Sequence, residues 1–417
     1  MTPKFSKKLL VLLILVPTIV SVGIVTFIVV VNLPELNQDE TLESRIQSLM
    51  TSAQIPSLGA CIIINDTVVW AQGFGDQPDL DTVFMIGSIT KSFTSIAILQ
   101  LYERNLLDLD DNIDDYLPFN VRHPDYPAMN VTIEMLFTHT AGLPTNFYWS
   151  LEYYFNNDTI TWINENFGWD IEIWEDRPTL EQFLEGSLNP TGAYYDPYNW
   201  QSLPGLMFRY SNAGYQLLGY LVEEITNQSL IDYVQENILD PLNMNRSGFY
   251  YEDFLNSNAI PYEWNNSKFE LPLYNINLTG AGALRSTIPD MARYLIACMN
   301  NGEYNGTQIL ESGTINLMHS NHIPLTGTSV EGFNIIGYGF GWFLYRGGYK
   351  GHSGATPGYS SNMYFKKSSG STYGVVVMYN RGSALIYDDA LVNIYIPAIN
   401  KLLLEEAQSL FQQALSS

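Results

Sequence analysis

Two blocks of strand-forming sequence, one near each end of the chain, enclose a middle dominated by helical patterns. The first block holds 57–65 and 67–72, apolar runs on either side of Asp66 that predict a β-hairpin. The second holds 338–345, 358–365 and 372–379, which alternate or run apolar like strands of an antiparallel sheet. Helical spacing covers 40–51, 132–139, 212 to about 237, 289–299 and 386–410. Strands at both ends with helices between predict an α/β body interrupted by a helical subdomain.

Nearly half of the 417 residues are hydrophobic, enough for a sizeable core and against disorder. A formal charge of −24 argues against nucleic acid, which needs clustered Lys and Arg, and against docking of the body on anionic lipid. Only two cysteines occur, Cys61 and Cys298, each within an apolar run that reads as core. A single bridge between them stays open at this point.

The N-terminus presents Lys4, Lys7 and Lys8 before an uncharged apolar run, 9–31, long enough to span a bilayer. Glu35, Asp39 and Glu40 follow it, which predicts a cytoplasmic 1–8 tail, a 9–31 anchor, a 32–41 linker and an external body. The competing expectation is a long cleaved signal peptide, leading to the same compartment without an anchor.

Chemistry concentrates in three places. In Met85-Ile86-Gly87-Ser88-Ile89-Thr90-Lys91-Ser92-Phe93, Ser88 and Lys91 stand three apart at the entrance to an apolar helix, so their side chains share a face. A lysine taken out of water has its pKa lowered and can relieve a serine hydroxyl of its proton. The helix N-terminus offers free N–H groups to an oxyanion forming there. Ser-x-x-Lys alone arises about once by chance in a chain of this length, so it needs company.

Phe208-Arg209-Tyr210-Ser211-Asn212 supplies a second piece. Beside a cationic lysine Tyr210 favours its phenolate and can act as a base, and Asn212 two residues on points the same way in an extended segment. The bland alternative is a capping segment with Asn212 as the cap. Tyr154-Phe155-Asn156 fits Tyr-x-Asn equally well but lacks the glycine-containing helix start that follows Tyr210. The third piece is Lys350-Gly351-His352-Ser353-Gly354-Ala355-Thr356-Pro357-Gly358, an edge-strand candidate whose glycines allow close backbone approach and whose His352 adds a switchable polar group. Its alternative is a glycine-rich turn with a solvated histidine.

In this order and setting the three pieces resemble the serine β-lactamase and penicillin-recognising superfamily, and within it the class C β-lactamase, D-aminopeptidase and esterase branch. The likeness runs from Leu42 to about Leu403 and includes Leu136-Phe137-Thr138-His139-Thr140-Ala141-Gly142-Leu143-Pro144, 281–292 and Tyr338-Gly339-Phe340-Gly341-Trp342. The resemblance implies a β-lactamase/transpeptidase-like fold over 42–403, an antiparallel sheet flanked by helices, with a helical subdomain at roughly 90–280 and a C-terminal helix end and tail at 404–417. It implies that Ser88 is the nucleophile, that Lys91 and Tyr210 share its proton, and that Asn212, His352 and Gly354 bind substrate. The backbone N–H groups of Ser88 and Ala355 would form the oxyanion hole. No cofactor and no metal is implied, and His139 would be structural. The implied activity is a serine hydrolase acting on small peptides or esters. A histidine at 352, where many relatives carry the lysine of Lys-Thr-Gly, weakens the expectation of β-lactamase or D-alanyl-D-alanine carboxypeptidase action.

An aromatic, acidic stretch at 146–200 reads either as an excursion over a cleft, narrowing it, or as an insertion packed on itself. Three rival readings stand beside that of the resemblance, the first of them also a hydrolase. Gly351-His352-Ser353-Gly354-Ala355 nearly fits a nucleophile elbow, but Pro357 and Gly358 spoil the helix that must follow. His319 and His322 have helix-face spacing without an evident third metal ligand. A catalytically silent membrane-anchored scaffold is the remaining alternative.

Overall fold

The computed structural model describes residues 40–416 apart from 265–266, 328, 331 and 369. The apolar run 9–31 lies outside the described residues. Among the described residues no helix is long and apolar enough to cross a membrane.

The body is organised by one sheet of nine strands. In chain order they are β1 (Ser57–Ile64), β2 (Thr67–Gly75), β3 (Ile323–Pro324), β4 (Ser329–Val330), β5 (Phe333–Tyr338), β6 (Phe343–Tyr345), β7 (Tyr349–Thr356), β8 (Tyr359–Ser368) and β9 (Ser371–Tyr379). Their order across the sheet is β4-β5-β6-β7-β8-β9-β1-β2, with β3 pairing β5. The C-terminal meander and the N-terminal hairpin are joined by antiparallel pairing of β9 with β1, Leu58 opposite Tyr379 through Ile64 opposite Tyr373. All of β1 is buried, which explains its unbroken apolar run. Cys61 and Ile63 enter one core; Leu58, Ala60 and Ile62 enter another on the opposite face.

Helices cover both faces. The core containing Ile62 is closed by α1 (Leu42–Ser52) and the C-terminal α5 (Ile396–Ser416). The core containing Ile63 is closed by α2 (Thr90–Glu103) and α4 (Ile288–Met299), with α3 (Asn212–Thr226) packed on α2. Every residue of α2 from Thr90 to Leu101 is buried, the signature of a helix surrounded on all sides. Cys61 and Cys298 are both buried free thiols.

Two expectations about elements change. The run 338–345 is not one strand: Gly341, at φ +79°, turns the chain between β5 and β6, and the Gly339 amide donates to Trp342 O at 2.8 Å. The final α-helix begins at Ile396 instead of 386, after a π-helical turn Leu391–Tyr395. Residues 380–388 are irregular because their polar groups are claimed from elsewhere. Buried Glu263 accepts the amides of Gly358, Ala384, Leu385 and Ile386 at 3.1–3.3 Å. Arg381 pairs with Asp388, whose other carboxylate oxygen accepts the Leu391 amide at 3.0 Å.

The aromatic stretch packs on itself. It contributes the helices Asn157–Phe167 and Leu180–Leu188. Tyr153 stacks on Phe183 with centroids 4.0 Å apart, and Trp174 lies 5.0 Å from Tyr194. These rings pack on one another, and Phe155, Trp162 and Phe167 pack on Tyr274 and Phe269 outside the stretch.

Glu263→Gln sets an amide N–H₂ against backbone N–H donors in a buried place. It is expected to lower stability by about 1–3 kcal/mol, read as a lower urea midpoint with an unchanged slope.

Candidate active site

Ser88 lies in the one-turn 3₁₀ helix Gly87–Ile89 that opens into α2. The turn is fixed from both sides: Ile86 N–H donates to Leu284 O at 2.9 Å, and Ser361 Oγ donates to Ile86 O at 2.8 Å. Two glycines let β7 lie against it. A Cβ on Gly354 would come within 2.0 Å of Ile86 O, and one on Gly87, at φ +51°, within 2.7 Å of Ala355 N. The Ser88 turn and Ala355 therefore meet backbone to backbone. β6 pairs with β7 only at Lys350 and Gly351, so from His352 to Thr356 that side of β7 has no partner strand among the described residues. The third motif is thus interior at its start and an edge where it passes Ser88.

Lys91 is fully buried. Its Nζ lies 3.0 Å from Ser88 Oγ, 2.7 Å from Asn212 Oδ1 and 2.8 Å from Ala281 O. Among the described residues no carboxylate accompanies it, and burial holds its pKa well below the ordinary lysine range. A neutral amine has two N–H donors and one lone pair. The two oxygens that can only accept, Asn212 Oδ1 and Ala281 O, take the donors, which leaves the lone pair for the Ser88 hydroxyl proton.

Tyr210 reaches the same point from the segment before α3, with Lys91 Nζ 4.9 Å from its ring centroid. Burial around its hydroxyl pushes the phenol well above its usual range, while a hydrogen bond with Ser88 works the other way. Burial thus opposes the phenolate expected from sequence, and it opposes the charge on Lys91 that would stabilise that phenolate.

Asn212 is the first residue of α3, and the cap is Ser211, whose Oγ accepts the Gly214 amide at 2.9 Å. Asn212 is thereby free to hold Lys91 with Oδ1 and to donate from Nδ2 to Asn146 Oδ1 at 3.0 Å. The competing Tyr154-Phe155-Asn156 serves the aromatic insertion, where Asn156 caps the helix Asn157–Phe167.

His352 is buried, 5.1 Å from the Phe343 ring and 6.2 Å from Tyr210. Its Nδ1 lies 2.6 Å from Ser353 O, so that nitrogen carries the proton. Burial, followed by Lys91, pushes its pKa down to about 3. The switchable group expected from sequence is a neutral one throughout the physiological range. His139 is also buried and neutral: its Nδ1 accepts the Ser211 amide at 3.0 Å, and its Nε2 lies 3.1 Å from Tyr338 Oη. It positions the Tyr210-to-Asn212 segment. Of the metal alternative, His319 packs edge-on to Trp342, and His322 stacks on Phe340 beside Glu134.

Beside Ser88 opens a cleft of about 470 Å³. Its walls come from Phe208 and Tyr210, from Leu325 and Ile335, from β7, and from Ser383, Tyr387, Val392 and Ile396. No residue of 146–200 lines it among the described residues. Sequence reasoning missed Asn146 and the whole 383–396 wall. The turn residues Arg381-Gly382-Ser383 and the polar Tyr387-Asp388-Asp389 were the available signals against an early helix start.

The family model described as "Beta-lactamase" matches residues 42–390. "Beta-lactamase-like protein 4" of Dictyostelium discoideum is 28% identical over 87% of this chain and 63% of its own length. "Penicillin-binding protein 4*" of Bacillus subtilis (strain 168) is 26% identical over 68% of this chain and 58% of its own. The chain thus spans less than two thirds of the length of these curated relatives. Among solved structures, the octameric penicillin-binding protein homologue from Pyrococcus abyssi superposes with a TM-score of 0.68 and 29% identity. That match covers 87% of this chain and 76% of that one.

Folding excludes a proton from His352 between pH 6.5 and about 3, whereas the unfolded chain takes it up there. Stability is therefore expected to fall as pH drops from 6.5 towards 3. In urea titrations at pH 7 and pH 5, His352→Asn should reduce that loss by up to about 1.4 kcal/mol per pH unit.

Proposed function

This chain belongs to the beta-lactamase family, and we propose that within it the chain works as a serine hydrolase that cleaves amide or ester bonds through an acyl-enzyme on Ser88. The observation that carries this is Lys91 Nζ, buried without a counter-charge and 3.0 Å from Ser88 Oγ. Nζ takes the hydroxyl proton as Oγ bonds to the substrate carbonyl carbon. The negative charge that moves to the carbonyl oxygen is met by the backbone N–H groups of Ser88 and Ala355. When the carbonyl re-forms, the bond to the leaving oxygen or nitrogen breaks, and the proton passes from Lys91 through the Tyr210 hydroxyl to that atom. Water then attacks the ester, giving its proton to Lys91 and Tyr210, and Ser88 is released with its own proton restored.

Asn212 keeps Lys91 aimed at Oγ, and Gly354 lets the Ser88 turn lie against β7, whose free edge from His352 to Thr356 is open to a substrate backbone. Because proton donor and acceptor act as a unit, their titration belongs to the pair. The apolar run 9–31 supports an anchored form with the body outside the membrane, and secretion after cleavage is its alternative. A catalytically silent scaffold is separated from the hydrolase by the serine itself.

Exposed to a fluorophosphonate, the full chain should gain one adduct by intact mass, absent in Ser88→Ala. An unlabelled, folded wild type would return the scaffold. Lys91→Met should lower kcat/KM by about ten-thousand-fold. The acidic limb of the wild-type pH–kcat/KM profile should lie well below 10.5, since the base is neutral once its lowered pKa is passed.

A further inference from the structure

The cleft beside Ser88 continues into an apolar groove whose walls are built, not incidental. One side is Leu325, Ile335 and Phe343 from the β5–β6 end of the sheet; the other is Val392 and Ile396 at the start of α5. Ile335, Phe343 and Ile396 are buried core residues, so the groove floor is the edge of the core itself. The 381–391 wall is pinned at several points. Arg381 joins both Ala53 O and Asp388, and Ser360 Oγ donates to Arg381 O at 3.0 Å. The Asp388 amide donates to Ser383 Oγ at 2.7 Å, and Glu263 gathers three amides from 384–386. The charges of the wall are turned to partners: Arg381 pairs with Asp388, and Asp389 Oδ1 accepts from Asn393 Nδ2 at 2.8 Å.

None of the side chains lining the cleft carries a fixed charge, and the molecule as a whole carries −24. Such a surface repels an anionic substrate and gives a carboxylate nothing to pair with. The groove has the size and apolar lining of a small-molecule pocket and opens directly at the nucleophile.

Resting on the serine hydrolase reading, we propose that this groove is an acyl subsite for an unbranched, uncharged aliphatic chain. The favoured substrates are then medium-chain acyl esters or amides that leave the acyl group on Ser88, in preference to acyl groups ending in a carboxylate. The chain lies between Leu325 and Val392, with the carbonyl at the Ser88 turn.

The test uses the full chain and p-nitrophenyl acetate, butyrate, hexanoate and octanoate, with the mono-p-nitrophenyl ester of adipic acid and the phenylacetate as controls. kcat/KM is expected to rise about fourfold per methylene from butyrate to hexanoate. The adipate monoester should fall about a hundredfold or more below the hexanoate. Val392→Trp, at a partly exposed wall position, should abolish the gain from butyrate to hexanoate. Leu325→Asp should do the same from the opposite wall, with an unchanged circular-dichroism spectrum and urea midpoint reporting that each variant is folded. A flat chain-length series, equal use of the adipate monoester, or phenylacetate exceeding octanoate would overturn the acyl subsite while leaving an active Ser88 in place. Failure of fluorophosphonate to label Ser88, with no ester cleaved, would overturn the hydrolase reading and the subsite with it.

Discussion

The site depends on a lysine kept out of water. Nothing negative compensates Lys91, so burial acts on its proton directly, and the two pure acceptors at Asn212 and Ala281 orient what remains of the amine. An amine in bulk solvent would be a cation and useless as a base at neutral pH. The helix α2 supplies the burial: it is enclosed along its length, and Lys91 sits in its first turn. A stability cost is built in, since a buried ionisable group destabilises whichever state must carry charge.

The neighbouring groups follow from that choice. Burial works against charge at Lys91, Tyr210 and His352 alike. Moving the Ser88 proton to Lys91 creates an ion pair, which costs least when it is coupled to attack on a substrate carbonyl. The oxyanion that develops balances the proton taken up by Lys91, and the backbone segments at Ser88 and Ala355 face one another where their N–H groups can meet it. The glycines at 87 and 354 matter for this reason more than for flexibility, because any Cβ there would drive those segments apart.

Much of this was legible in residues. Ser88, Lys91, Tyr210 and Asn212 were picked out by spacing and local context, and the structure brings all four together around one nitrogen. The hairpin at 57–72 and the helix near 289–299 were readable because a strand buried on both faces and a helix with one apolar face leave unambiguous patterns. What failed did so locally. The 338–345 run concealed a turn, because Gly341 in an apolar run looks like any strand glycine. The early start assigned to the last helix ignored Glu263, more than a hundred residues away, which takes the amides a helix would have used.

The chain by itself determined which residue types stand three or two apart and which segments must be buried, since periodicity and hydrophobicity are properties of neighbours in sequence. Tertiary structure decided how far each group of the site is taken out of water and the shape of the cleft. Desolvation of Lys91, Tyr210 and His352 arises from atoms contributed by α2, α3 and β7 together, and no single segment carries it. The apolar groove likewise exists only where the end of the sheet meets the pinned 381–391 wall, two pieces whose proximity is set by packing rather than by their order in the chain.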